Sequence, residues 1–371
     1  MQAKRRKKRK KRSWFFSAVC FMLLFCIPLG AGSLRELWSF LEEYQISLPE
    51  NTAQEGLELF QNRDIGTLSQ FVDYTPHPLD RSGSLDGWLA EYLGFDDESA
   101  EYTLIPKTGG SNQKRYVVAR DGFQVAELLL APSGVETKRG FSLWELNDID
   151  IASVAGNYGM EIVVPQGVEV TVNGFPLDES YLIDNAVPLE ISGYQDLGQG
   201  YQPIALKYRV EGLLEPPEVE ANPKDSGYCS LEDVSPESGG NINYYQAKRF
   251  AGQDFIDTAG IKAEFAAKLY ARFITKDATF DSLLPYLLKD GPLYKQLYGF
   301  SNSWYIDHDS YDFQDFEMDN FVLYDESHYS CDVRFCYVIR MGAKVYEYPS
   351  AYTLYFVYGA GDWLLASLEI Q

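Results

Sequence analysis

Few residues in this 371-residue chain could do acid–base, nucleophilic or metal chemistry, and their spacing is unpromising for it. The histidines are His77, His308 and His328, and the cysteines are Cys20, Cys26, Cys229, Cys331 and Cys336. No two histidines stand at ligand spacing, so a zinc site would need mixed ligands drawn from distant parts of the chain. Cys331 and Cys336 share one strand-like run, HYSCDVRFCYVIR, where five residues set them roughly 16 Å apart and on opposite faces. They cannot bridge each other without breaking that strand. The densest carboxylate cluster is IDHDSYDFQDFEMD, with Asp307, Asp309, Asp312, Asp315, Glu317 and Asp319. A calcium loop counted from Asp307 needs Gly at its sixth position and Glu at its twelfth, but finds Asp312 and Met318. The cluster therefore reads as a solvated acidic loop and strand edge, with an adventitious calcium site as the alternative. His308, between Asp307 and Asp309, is the one candidate acid–base pairing, but sequence neighbours in extended chain point apart. Gly109-Gly110 and Gly239-Gly240 lack the Lys-Ser/Thr that completes a phosphate cradle. No catalytic residue, cofactor or metal site is assigned on these grounds.

Tyrosine is the remaining anomaly, with 27 in the chain. Strands favour tyrosine for cross-strand packing, which accounts for many of those beyond Tyr244. The functional alternative is an aromatic surface that stacks on sugar rings or on a protein partner, because tyrosine offers large contact area at low entropic cost. Trp304 and Tyr305, on the expected helix-to-sheet loop, and Tyr311 just after it are the candidate residues for such a surface.

The charge is segregated along the chain. Lys4, Arg5, Arg6, Lys7, Lys8, Arg9, Lys10, Lys11 and Arg12 are consecutive bases, and no acid occurs before Glu36. Of 32 bases, these nine precede Ser13, which leaves 23 against 54 acids and a net charge of −31 in place of the overall −22. A body so acidic is a poor binder of nucleic acid, whose affinity comes from neutralising phosphates. Directly after Arg12, SWFFSAVCFMLLFCIPLGAG is uncharged and long enough to cross a bilayer as a helix. The bases on its N-terminal side predict a cytoplasmic N-terminus and an external body. A cleaved signal peptide, with Gly30, Ala31, Gly32 and Ser33 near its cut, is the competing reading.

The elements that would position any site follow from periodicity. Residues 1–12 read as a cytoplasmic basic segment, 13–33 as a transmembrane signal anchor and 34–50 as a juxtamembrane helix. Residues 51–152 read as a first α+β domain: a helix over Asn51 to Val72, a short one over Leu85 to Leu93, then four strand-like runs. Asp121-Gly122 marks a hairpin between two of these runs. Residues 157–215 read as a small β module in which Val168, Val170 and Val172 alternate with polar residues before an Asn173-Gly174 turn and PLEIS forms a strand. Pro216, Pro217, Pro223 and Pro236, with several acids, make 216–243 a linker. Residues 244–371 repeat helices-then-meander, with Phe265, Leu269, Tyr270 and Phe273 on one side of a long helix and Gly361-Asp362 joining the last two strands. The expected fold class is α+β, with a single N-terminal transmembrane helix and two such domains separated by the β module.

In the last segment, the helix text from Ala267 to Phe273, the FITKDATF transition and the terminal GDWLLASLEI resemble nuclear-transport-factor-2-like domains. That resemblance implies a curved sheet wrapped around a long helix. Folds of this kind include enzymes whose base is a cavity Asp or His. Here the positions expected to face the cavity, Tyr270, Phe273, Val333, Phe335 and Tyr337, are large, which favours a filled core. YSCDVRFCYV and EYPSAYTLYFVYGAGDWLL look like singly anchored proteins of anaerobic Gram-positive bacteria. IVVPQGVEVTVNG is similar to the β modules of cell-wall-antibiotic-resistance-associated membrane proteins and of some penicillin-binding proteins. The expected function is a non-catalytic cell-envelope protein whose outer domains bind a wall glycan or an envelope protein. An enzyme using an α+β cavity and a passive spacer are the alternatives.

Overall fold

A computed structural model describes residues 5–107, 113–151, 154–301 and 307–371, and it has the mixed α+β composition expected. The chain divides into two compact units, Met1–Pro76 with Gly83–Ala155, and His77–Ser82 with Gly156–Gln371.

The first unit begins with α1 (Arg5–Ile46), which continues through Pro28. The expected division into a 13–33 span and a 34–50 helix is therefore one uninterrupted helix. It ends where the Ser47 hydroxyl donates to the Tyr44 carbonyl at 2.7 Å and Pro49 opens the next helix. Trp14–Ile46 is long and apolar enough to cross a membrane, and none of its most apolar stretch is buried within the protein. Its C-terminal part packs on the turn after Glu136: Phe40 and Tyr44 meet Phe141 edge-on, and Arg139 pairs with Glu36 at 2.7 Å.

α2 (Pro49–Gln61) buries Ala53, Gly56, Leu57 and Phe60, one stripe at helical spacing. The single helix expected over Asn51 to Val72 breaks because Arg63 takes a left-handed backbone, φ 55°, and the Asp64 carboxylate accepts from Thr67 N to start α3 (Ile65–Leu68). α4 (Ser84–Leu93) precedes β1 (Tyr102–Lys107), β2 (Lys114–Arg120), β3 (Phe123–Glu136) and β4 (Ser142–Ile151), an antiparallel meander in chain order. Asp121 and Gly122 both have positive φ, the mirror-image turn whose twist suits a hairpin. Phe60, Leu89, Leu93, Val118, Leu128 and Ile149 fill the core between the helices and this sheet.

The second unit holds β5 (Tyr158–Pro165), β6 (Val168–Val172), β7 (Phe175–Pro176), β8 (Leu182–Pro188), β9 (Ile204–Leu213), β10 (Val219–Pro223), β11 (Tyr228–Asp233) and β12 (Ile242–Phe250). Three helices follow, α5 (Gln253–Ile274), α6 (Phe280–Leu283) and α7 (Pro292–Leu297). The chain then forms β13 (Ser310–Asp325), β14 (His328–Met341), β15 (Lys344–Gly359) and β16 (Asp362–Ile370).

Several expectations are corrected here. The 216–243 stretch is not a linker. β10 pairs with β6 and β11 with β12, and Val219, Ala221, Cys229 and Leu231 pack against the core that holds Met160, Ile162 and Val170. Its prolines misled because Pro223 sits at the end of β10, on the edge of a three-stranded sheet where a missing N–H costs no ladder bond. Nor do the β module and the last segment lie in separate sheets. β12 runs parallel to β5, with Ile242 opposite Gly159, and joins both segments in one sheet ordered β16-β15-β14-β13-β12-β5-β9-β8. PLEIS is not a strand: β8 ends at Pro188, and residues 192–197 form a 3-10 turn.

On α5, Leu269, Tyr270 and Phe273 pack against the core that holds Val333, Phe335 and Tyr337, as expected, but Phe265 is exposed, and the fully buried stripe is Ala259, Gly260, Ala263, Ala266, Ala267 and Ala271. Small residues let the helix lie close on the aromatic strands; a Cβ on Gly260 would come 3.5 Å from Met318. β13 starts earlier than Phe316 and absorbs the acidic run through register shifts on either side of Glu317–Asp319, with Asp315 and Asn320 at φ 51°. The last hairpin turns on Ala360-Gly361, both at positive φ, one residue before the expected pair.

Candidate functional site

The polar cluster that carries most chemical potential lies at the C-terminal end of α5. As that helix ends, the chain folds back so that Asp277 N donates to the Arg272 carbonyl at 2.7 Å. This places the Asp277 carboxylate against β14. Three groups converge on one of its oxygens, Oδ2: the Thr275 hydroxyl at 2.6 Å, the Tyr337 hydroxyl at 3.0 Å and His308 Nε2 at 3.1 Å. Thr275 and Tyr337 are also 3.1 Å apart. The His308 side chain is almost wholly buried, and that of Asp277 is 19% exposed. Burial, reinforced by the neighbouring Asp277 carboxylate, pushes the Tyr337 phenol well above its ordinary value, so it stays protonated and donates.

The histidine thus does pair with a carboxylate, but with neither sequence neighbour. Its partner comes from FITKDATF, 31 residues upstream, and no local spacing announces it. A carboxylate that accepts three hydrogen bonds at one oxygen ties the helix end to the sheet and to the segment that leads into β13. The same arrangement contains a His–Asp pair with a tyrosine, the elements of a proton relay.

Tyr311, one of the three candidate aromatic residues, lies beside this cluster. Its ring stacks on Tyr337 at 5.7 Å and 22°, and the Arg272 guanidinium sits 5.4 Å from its centroid. It is 37% exposed. Trp304 and Tyr305 lie outside the described residues. The sequence did not single out two other rings, Tyr298, 69% exposed, and Phe300, 43% exposed, which lie close by. Phe300 meets Phe273, and Tyr298 stacks on Tyr294 at 6.2 Å against the edge of Phe280. Exposed rings therefore lie on both flanks of the α5 terminus, through Phe273 on one side and Arg272 on the other. Of the residues proposed to orient the span, Lys4 lies outside the described residues, and Arg5, Arg6, Lys7, Lys8, Arg9, Lys10, Lys11 and Arg12 form the first turns of α1.

A second buried polar node was not foreseen. Tyr194, in the 3-10 turn at residues 192–197, is fully buried, and its hydroxyl reaches the carbonyls of Tyr329 at 2.8 Å and Phe356 at 2.9 Å. Its ring stands edge-on to Tyr324, His328 and Tyr355. Beside it, Asp325 accepts from Ile204 N at 2.9 Å, Ser327 N at 2.7 Å and His328 Nδ1 at 2.8 Å. His328 Nε2 is buried with no partner among the described residues.

Burial alone would raise the Asp325 carboxyl, but these donors outweigh it and hold the group below its ordinary 3.8. A depressed carboxyl contributes stability that is complete above its unfolded value and lost as pH falls through the folded one. Asp325→Asn should therefore cost about 1–3 kcal/mol at pH 7. That difference should begin to shrink only as pH falls below the ordinary 3.8 of the unfolded carboxyl, and go on shrinking until pH passes the lower folded value, where the wild-type carboxyl is protonated too. Denaturant melts of both chains from pH 7 to pH 3 check this, and a difference independent of pH would contradict the assignment.

His77 serves its own loop, where its Nδ1 accepts from Leu79 N at 3.2 Å. Among the described residues, no three His, Cys, Asp or Glu side chains gather as a metal site. All five cysteines are free, with Cys331 buried.

No protein-family model matches the chain, and no curated protein matches it. A solved structure described as an "Ntf2 like protein involved in plasmid conjugation" is similar at 9% identity and a TM-score of 0.21, covering 84% of this chain and 97% of its own. A likeness at that level supports no argument about fold or function.

Proposed function

We propose that the protein is a single-pass cell-envelope protein with a cytoplasmic N-terminus, whose external α+β body binds a neutral wall glycan or an envelope protein without catalysing a reaction. The observation that carries the binding reading is the set of exposed rings, Tyr298, Phe300 and Tyr311, around the end of α5. Large rings exposed on a soluble surface supply contact area at little entropic cost. The net −31 beyond Arg12 disfavours anionic wall polymers, because like charges repel at low salt, and so favours a neutral ligand. The basic run followed by an apolar helix supports the orientation. The resemblance to nuclear-transport-factor-2-like, singly anchored proteins of Gram-positive anaerobes belongs to the same reading. The passive-spacer alternative relied on 216–243 as a flexible linker, and within that stretch 219–223 and 228–233 are paired strands. The enzyme alternative would use Asp277, His308 and Tyr337.

The whole chain in lipid nanodiscs, incubated with isolated wall glycan and sedimented, tests the binding reading. Retention of the wild-type chain is expected, with Tyr298→Ala combined with Tyr311→Ala weakening it about 5- to 30-fold. Equal retention of wild type and variant would sink the aromatic surface. Retention by neither the glycan nor detergent-solubilised envelope proteins would sink the binding function itself.

A further inference from the structure

β12 is paired along one edge by two different strands in succession. Residues 242–246 pair with β5, and Arg249 and Phe250 pair with β13. Between these pairings, where β5 ends and β13 approaches, neither strand fills the space beside Ala247 and Lys248. A cavity of about 240 Å³ occupies this seam. Val163, Ala205, Val322 and Tyr324 line it from the strands, and Leu189 and Ile191 line it from the segment after β8. It is distinct from the core between α5 and the sheet, and from the aromatic surface discussed above.

We infer that this cavity binds an apolar carboxylate of about ten non-hydrogen atoms, with its hydrocarbon in the seam and its carboxylate on Lys248. The size follows by proportion: an apolar cavity of about 150 Å³ holds benzene, with six such atoms. The walls are mainly hydrocarbon, and such spaces take apolar occupants in preference to water. The head group follows from charge. Lys248 is the one charged residue among the described residues that line the cavity, and Gln246 lies two positions away on the same side of β12. Lys248 also meets Glu232 of the neighbouring β11 at 3.7 Å, but both side chains are more than half exposed. A solvent-exposed pair at that distance is weak and exchanges readily for a carboxylate on a desolvated stem. The inference is independent of the glycan reading.

Octanoate, with ten non-hydrogen atoms, is the probe. Equilibrium dialysis of labelled octanoate against the full chain in nanodiscs, with empty discs subtracted, should show saturable uptake of one molecule per chain. Each methylene removed should weaken binding by roughly fourfold, so hexanoate should bind about 15-fold less tightly. Octylamine should bind at least about tenfold less tightly than octanoate, and Lys248→Glu should reverse that order. Val163→Phe should fill the space and abolish uptake. Val163 is only partly buried and Lys248 half-exposed, so the charge reversal tests the site without altering its packing. The absence of saturable uptake, equal binding of octanoate and octylamine, or a Lys248→Glu chain that still prefers octanoate would each overturn the inference.

Discussion

Replacing Tyr194 with alanine is expected to destabilise the second unit by about 3–5 kcal/mol, a large part of the total stability of an ordinary domain. The ring is fully buried and fills the space between the 192–197 turn and the strands β13, β14 and β15. Its removal leaves a void bounded by Tyr324, His328 and Tyr355, which are themselves held by hydrogen bonds and cannot all collapse inward. Tyr194→Phe separates the hydroxyl from the ring. It keeps the packing but removes the one hydroxyl proton shared between the Tyr329 and Phe356 carbonyls, and should cost about 1–3 kcal/mol. Chemical denaturation followed by tryptophan fluorescence, with Trp363 reporting beside Tyr329, measures both. A Tyr194→Ala chain that melts like wild type would show that the turn does not hold the sheet. Gly193 should be equally intolerant, because a Cβ there would sit 2.2 Å from the Tyr355 ring.

The second large effect concerns the membrane. A chain lacking residues 1–33 is expected in the soluble fraction, whereas the full chain should remain in the membrane pellet after an alkaline carbonate wash. The expectation rests on a helix whose most apolar stretch buries nothing within the protein, so that its surface in water would be hydrocarbon throughout. Replacing Lys4–Arg12 with serines should leave the chain in the pellet but scramble its orientation, as read by protease access to the body from outside. Mass spectrometry of the mature N-terminus adds a further outcome. A start near Gly32 would establish cleavage and release in place of anchoring. A truncated chain that still pellets would place the attachment elsewhere.

Much of the local architecture was legible because it is written in short-range chemistry. Asp121-Gly122 and Asn173-Gly174 specify mirror-image turns through residues that tolerate positive φ, and both pairs adopt it. The alternation of Val168, Val170 and Val172 places their side chains inward, as period two requires. What escaped depends on partners far away in sequence. β10 resembles linker until β6, roughly 50 residues upstream, is set beside it, and β11, short and acidic, resembles linker until the next strand, β12, folds back on it. On α5, Leu269, Tyr270 and Phe273 do pack against the core, but Phe265 was misassigned, because close approach to an aromatic sheet selects alanine for the fully buried stripe. His308 stood out in sequence only beside Asp307 and Asp309; its partner Asp277 did not, and the two meet only when α5 ends. Tyr194 sits in a polar stretch, SGYQDLGQGY, whose composition says surface loop. The aromatic surface was legible in kind, and Tyr311 belongs to it, but Tyr298 and Phe300 were not distinguished from the many strand tyrosines.

The parallel pairing of β12 with β5 also has a consequence for how the chain is made. The two strands are roughly 80 residues apart, a separation associated with slow folding. During synthesis, β5 and β9 emerge first and leave the β5 edge exposed until β12 arrives to cover it. For that interval the nascent chain is an aggregation hazard. Truncation before Ile242 would make that transient exposure permanent.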